Sequence, residues 1–453
     1  MTVKKGIPWG PFTLRIPFVH FTISWSEYIQ GVTAGSAAAL IFLPMLINWF
    51  GLTEDEALTF LFLSTFLTAS SPIIFGENLM VGLMTPVFPL VIAFFTPLGL
   101  GSTSDNLSMM IALSIDFALL SFLLGISGLG PKVIAWIPNA LKAGIILGAA
   151  IAALKAVFID RPELMAEQPV AIITGLILTL FLASSSIFKF YSRDNHFLQR
   201  LASLGLIPGM VLAGILGYGL EEISFSPEWR WAEIDFLSLF QKVSPFVIGW
   251  PETGFYLKAA PLAIIAYIIC FGDIITGNEI LKEAREERED DPQKFNINRT
   301  NLSLGIRNAL SALFAPFFSY QGILATGPHI IIVERWRKGK QEMNSIFDGI
   351  GSYTSFGFPW FYFIVPLMTF LISLQGIIFT QFMALTAIGC TQVAMSLVKT
   401  SAERGASLFM AVLLISFPLD PGKALLIGTA IVIIMVGWGE RYSKVIEKEN
   451  EDV

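Results

Sequence analysis

Apolar runs recur along the chain from residue 28 to residue 438, separated by short polar breaks, and they constrain the fold more than any other feature. Hydrocarbon offers backbone N–H and C=O groups no water, so a crossing segment must be a helix or a strand of a closed barrel. A helical crossing takes about twenty predominantly apolar residues. The runs lie at 28–50, 57–75, 84–97, 107–128, 138–158, 169–188, 202–219, 258–280, 301–317, 322–336, 357–374, 376–398, 405–418 and 421–438. They number roughly fourteen when two short, interrupted ones are counted. With 54% hydrophobic and only 14% charged residues in 453, the chain departs far from soluble globular averages. The expected fold class is an all-α polytopic membrane protein.

Loops assigned alternately to two sides gather about 21 of the 29 Lys and Arg residues on the side of the N-terminus. Both termini are therefore expected in the cytoplasm, with the chain in the cell (inner or plasma) membrane. The N-terminal stretch carries Lys4, Lys5 and Arg15 among Pro8, Pro11 and Pro17 and offers no apolar core for a cleaved signal peptide. Cys270 and Cys390 both fall inside apolar runs, which leaves no disulfide framework and no metal-ligand spacing and makes packing their expected role. A net charge of −6 says little about partners here, because the side on which charges fall matters more than their sum. The expected partners are the lipid bilayer and a small-molecule or anion substrate, not nucleic acid.

The acidic, aromatic stretch at 220–257 is too polar to span and is expected along the outer interface, with Trp229, Trp231 and Trp250 in the aromatic belt. The charged stretch from Leu281 to Arg299 reads as a solvated cytoplasmic helix end, and 439–453 as a cytoplasmic tail. These breaks divide the chain into a first seven-span repeat at 1–219 and a second at 258–438. In each half the third run is short and broken, GLMTPVFPLVIAFF from Gly82 and GILATGPHIIIVER from Gly322. Both pass from Gly through apolar residues to Thr and then Pro. An odd number of spans inserts the halves with opposite orientation, the signature of an inverted repeat whose binding site lies where the broken helices meet.

Several residues in these runs are candidates for function. Asp273 stands deep in the run at 258–280, where a carboxylate is costly unless it faces water or a partner. It is a candidate ion-coupling group, and the bland alternative is a structural pair with Lys142 or Arg307. Thr85, Pro86, Val87 and Phe88 in one half, and Ala325, Thr326 and Gly327 in the other, mark half-helix starts whose free N–H groups suit a polar or anionic substrate. The alternative for them is a pair of packing kinks. His329 is a candidate for ion coupling by proton shuttling or for plain hydrogen bonding. Glu27 and Glu77 are expected to snorkel to water at span ends, and Asp116 to pair with Lys142 or Lys155.

The order Gly272-Asp273, then Thr276, Gly277 and Asn278, together with the layout of 301–335 and the stretch PIIFGENLMVGLMTPVFPLV, resembles the nucleobase:cation symporter 2 superfamily of xanthine, uracil and ascorbate permeases. The resemblance implies a core domain of spans 1–4 and 8–11, a gate domain of spans 5–7 and 12–14, and a homodimer through the gate. It places substrate between the third and tenth spans and against the eighth, with proton or sodium coupling and no other cofactor. The chain departs from the family at the substrate-binding Glu of the eighth span, where it has Ile269. It departs again at the carboxylate of the tenth, where Thr326 stands, or Gly322 in a shifted alignment. The reading is thus a secondary active transporter of a small polar or anionic solute, with a sulfate, bicarbonate or carboxylate exchanger as the alternative. A channel would need a continuous polar stripe, and an intramembrane enzyme a motif such as HExxH or Gly-x-Ser-x-Gly, and the sequence contains neither.

Overall fold

A computed structural model describes residues 6–98, 102–193, 195–357, 359–416 and 420–437. Lys4, Lys5 and the tail assigned to 439–453 lie outside the described residues. The chain is mostly helical, and each apolar run named above carries helix. Among the described residues, length and composition together single out five helices that can cross a membrane: Glu54–Phe75, Thr103–Ser127, Asn139–Phe158, Thr253–Arg285 and Gln375–Leu397. A sixth is added if Pro169–Ser184 and Ser186–Ser192, bent by 60°, form one span.

The remaining runs are short or broken for local reasons. The run at 28–50 is helical from Trp25 to Gln30, widens into a π-turn at Gly31–Gly35, and resumes as Ser36–Ala39 and Leu43–Phe50. Gly31 lies so close to the Tyr353 carbonyl that no side chain fits there, which brings a second π-turn, Ser352–Gly357, against the first. Where helices are regular, their ends are specified chemically. Thr53 and Glu56 close a reciprocal capping box at the start of Glu54–Ser70, and Gly128 ends Thr103–Ser127 with φ 65°.

The helices pack in two groups. One holds Thr103–Ser127, Thr253–Arg285 and Ile297–Phe314. A Cβ on Gly125 would lie 2.9 Å from Leu302, and one on Gly305 would lie 2.9 Å from Phe122, so small residues set this approach. The other group joins Asn139–Phe158 to Gln375–Leu397 and Ser401–Ser416, with Pro169–Ser184, Ile207–Gly219 and Pro421–Val436 packed alongside. Gly144 and Gly148 abut Met410 and Leu414 there.

Four local expectations change. The chain is not wholly helical, since Ile7–Trp9 and Phe12–Leu14 form an antiparallel hairpin. Trp9 pins it to the Ile74 carbonyl at 2.7 Å. Glu27 does not snorkel: it is fully buried and accepts from Arg335 at 2.6 Å. Glu77 is buried as well, accepting from Thr300 at 2.9 Å with Arg299 at 3.6 Å. The stretch after Leu281 is not simply solvated either. Arg288 is buried and donates to the carbonyls of Trp336, Met343 and Asn344 at 2.5, 3.0 and 3.0 Å. Asp291 accepts from the Trp336 indole and the Ile346 amide, both at 3.0 Å. Asp116 meets neither expected lysine: Lys155 pairs with Asp160 at 2.5 Å, and Lys142 donates to the Ile134 carbonyl at 3.4 Å.

Candidate functional site

The two broken runs meet as irregular segments, neither helix nor strand, before either half-helix begins. After the turn at Ser71–Phe75, closed by Gly76 with φ 67°, the chain runs on towards Thr85 and enters the helix Phe88–Leu98. In the other half the chain leaves Ile297–Phe314, turns near Phe318–Ser319, and enters the helix Thr326–Arg337. Main-chain hydrogen bonds join the segments in antiparallel order: Met84 N–H to Ser319 O at 2.8 Å, Gly322 N–H to Gly82 O at 2.8 Å, and Ala325 N–H to Met80 O at 2.7 Å. The crossing requires glycine. A Cβ on Gly322 would stand 2.6 Å from the Gly82 carbonyl oxygen, and one on Gly82 would stand 2.7 Å from the Ala325 side chain. Ser319, a non-glycine residue at φ 81°, turns its carbonyl towards Met84 at the cost of local backbone strain.

A buried polar layer holds this crossing from behind. Gln321 donates to the Ser64 carbonyl at 2.7 Å and accepts from Thr68 at 3.1 Å. Asn308 donates to the Gln321 carbonyl at 2.9 Å, and Arg307 to the Gly322 carbonyl at 2.8 Å. Every one of these groups is buried, so their mutual satisfaction fixes one geometry for the segment.

In front of the crossing lies a cavity of about 560 Å³. Thr85 and Pro86 line it from one half, and Ala325, Thr326 and Gly327 from the other. Helix Thr253–Arg285 contributes Ile269, Gly272, Asp273 and Thr276. The Asp273 carboxylate has no hydrogen bond and no ion pair among the described residues, so neither Lys142 nor Arg307 neutralises it. Among the described residues it is the one carboxylate on the cavity wall.

Other residues named from the sequence lie behind that wall. Val87 and Phe88 are buried, and the Phe88 ring packs on Phe42 with centroids 4.6 Å apart, which turns it away from the cavity. His329 is fully buried. Its Nδ1 accepts from the Met80 amide at 3.2 Å and its Nε2 donates to the Gly277 carbonyl at 3.1 Å. Both ring nitrogens are thereby occupied in tying the second half-helix to the first irregular segment and to helix Thr253–Arg285. The wall also contains polar groups that the sequence reading passed over. Gln30 precedes the first π-turn, Thr354 lies within the second, and Thr386 and Gln392 belong to Gln375–Leu397. The signal for the last two is their polarity within the otherwise apolar run at 376–398.

Comparison with known proteins agrees with this architecture. The family profile described as Permease family, Xan_ur_permease, matches residues 32–322. No curated relative matches the chain by sequence. Among solved structures, the transmembrane domain of a cyanobacterium bicarbonate transporter, BicA, is similar at 15% identity and a TM-score of 0.52, over 91% of this chain and 98% of that one. SLC26A9 is similar at 12% identity and a TM-score of 0.53, over 91% of this chain and 65% of that one. The murine Slc26a9 anion transporter in its inward-facing state gives 13% identity and a TM-score of 0.51, over 90% and 68%. The family match spans more than half of the sequence, and the shared fold is that of transporters. The chain therefore belongs to this permease family and is a multi-pass membrane transporter.

Proposed function

We propose that the chain is a secondary active transporter of a small anion, coupled to a proton or sodium ion, that works by alternating access. The observation that carries this reading is the chemistry of the cavity wall. At the start of the second half-helix the Thr326 and Gly327 N–H groups have no main-chain acceptor among the described residues and face the cavity, where they stabilise an anion, whereas at the first the Thr85, Val87 and Phe88 N–H groups are taken by the Leu83 and Met84 carbonyls. Positions at which the family presents carboxylates to a nucleobase edge hold Ile269 and Thr326, which cannot accept its N–H groups as a carboxylate would. Asp273 remains as an unpaired acid in the same cavity. An ionised Asp273 repels a bound anion, so each is stabilised when a proton or sodium ion enters with the substrate. That mutual dependence is a coupling free energy. The similarity to a bicarbonate transporter and to an anion transporter supports the same substrate class.

The remaining architecture is read in the same way. The antiparallel crossing and the two helix groups support roughly fourteen crossings in two inverted halves. In this reading the group around Thr103–Ser127 is the core, the group around Asn139–Phe158 is a gate that dimerises, and both termini lie in the cytoplasm of the plasma or inner membrane. Sodium- or proton-driven uptake and counterflow of labelled bicarbonate, sulfate and uracil in proteoliposomes test the proposal. Saturable counterflow of an anion is expected. Counterflow of uracil alone, or unsaturable leak of all three, rejects it.

A further inference from the structure

Arg307 sits in helix Ile297–Phe314 with 1% of its surface exposed, and no carboxylate lies in ion-pair range of it among the described residues. Its guanidinium donates to Ser303 Oγ at 3.4 Å, to Gln321 Oε1 at 3.2 Å and to the Gly322 carbonyl at 2.8 Å. All three acceptors are neutral. Arginine does not shed its proton in a protein, and a buried charge left without an opposite charge is strongly disfavoured. Glu77 is the acid that acts on it most directly, but that carboxylate is already held by Thr300 and Arg299. Thr300 lies about two helical turns from Arg307, on the order of 10 Å along the axis.

The position of this unmatched charge is specific. Gly322, whose carbonyl Arg307 holds, uses its own N–H to bind Gly82. Gly82, Leu83 and Ala325 all line the cavity, so the guanidinium stands one layer behind the wall at the crossing itself. Each of its three nitrogens has a neutral acceptor, which leaves its charge uncompensated. In a medium of low dielectric that charge reaches the cavity with little screening.

We infer that Arg307 is the fixed counter-charge of the substrate site, a positioning residue whose missing partner is the transported anion. The inference rests on the anion reading above and deepens it. It assigns the positive potential at the crossing to a side chain on a neighbouring helix, in addition to the second half-helix start. Binding of an anion completes a buried ion pair across the Gly322 backbone. A neutral solute of the same size leaves the charge unmatched and is disfavoured, which gives selectivity with no basic side chain on the cavity surface among the described residues.

The test separates charge from packing. Ser303→Asp places a carboxylate beside the Arg307 guanidinium while leaving the bonds to Gln321 and Gly322 in place, so the charge is neutralised without removing the side chain. Arg307→Lys keeps the charge and loses the forked geometry. Purified wild type, Ser303→Asp and Arg307→Lys are titrated with sodium sulfate, sodium bicarbonate and uracil at constant ionic strength and sodium concentration, following the thermal midpoint. Ser303→Asp is expected to keep an unliganded midpoint at or above that of wild type and to lose anion affinity on the order of tenfold. Arg307→Lys is expected to retain most anion affinity even with a lowered unliganded midpoint. Equal anion affinity in Ser303→Asp and wild type overturns the role of Arg307 and leaves the anion reading standing. Binding of uracil and of neither anion by wild type overturns both.

Discussion

Thr85 and Thr326 belong to different halves of the chain yet line one cavity, each within the turn that opens a half-helix. A substrate seated on the half-helix starts must touch both. Replacing either by Trp fills the seat with an indole, and because both side chains project into open volume the fold should tolerate it. Uptake is expected to vanish in both variants while the unliganded thermal midpoint stays near that of wild type, and normal uptake in both moves the pocket elsewhere. These positions were legible because Thr followed by Pro or Gly at an interrupted apolar run marks a helix start. The side chains behind the wall were not. Whether Phe88 or His329 faces the cavity depends on how Met80 to Met84 registers against Ser319 to Ala325, a pairing between residues far apart in sequence that no local pattern encodes. The same holds for buried charges. Glu27 finds Arg335, and Arg288 finds the carbonyls around Trp336, through tertiary packing alone. A reading from sequence sees only polar residues at span ends.

At the scale of elements, the crossing of the two irregular segments is the least replaceable part of the fold. Gly322→Ala forces a methyl group to within 2.6 Å of the Gly82 carbonyl oxygen. Backbone on both sides must shift, at a cost of about 1–3 kcal/mol. Gly327 is the internal control, since a Cβ there meets nothing within 4 Å and the residue is helical. Gly327→Ala should leave the thermal midpoint unchanged or raise it, since alanine is favoured over glycine in a helix by about 1 kcal/mol. Equal midpoints for the two variants contradict the close crossing. Helix positions themselves were largely readable from apolar runs of sufficient length. The π-turns at Gly31–Gly35 and Ser352–Gly357 and the hairpin at Ile7–Trp9 were not. The turns arise from the mutual approach of two helices at Gly31, and the hairpin is stabilised by the Ile74 region it covers.

For the whole molecule, the basic-residue asymmetry and the two helix groups combine into a topology that chemical labelling can read. Cys270 and Cys390 are both buried, so an introduced thiol reports with little background. Glu289 and Trp229 are exposed, and they are assigned to opposite sides. A membrane-impermeant maleimide should label Trp229→Cys in intact cells and label Glu289→Cys only after the cells are broken; the reverse pattern inverts the assignment.

That topology matters because coupling is a property of the complete transport cycle, in which, on the proposed mechanism, Asp273 is emptied on one side of the membrane and refilled on the other. Asp273→Asn keeps the size of the side chain and an acceptor oxygen but removes the charge that makes anion and cation entry interdependent. The decisive measurement compares gradient-driven uptake with substrate exchange on one reconstituted Asp273→Asn preparation. Concentrative uptake driven by a pH or sodium gradient is expected to be lost while exchange of the anion persists. Full gradient-driven uptake in that variant, or loss of both activities together with a lowered thermal midpoint, contradicts the coupling role of Asp273.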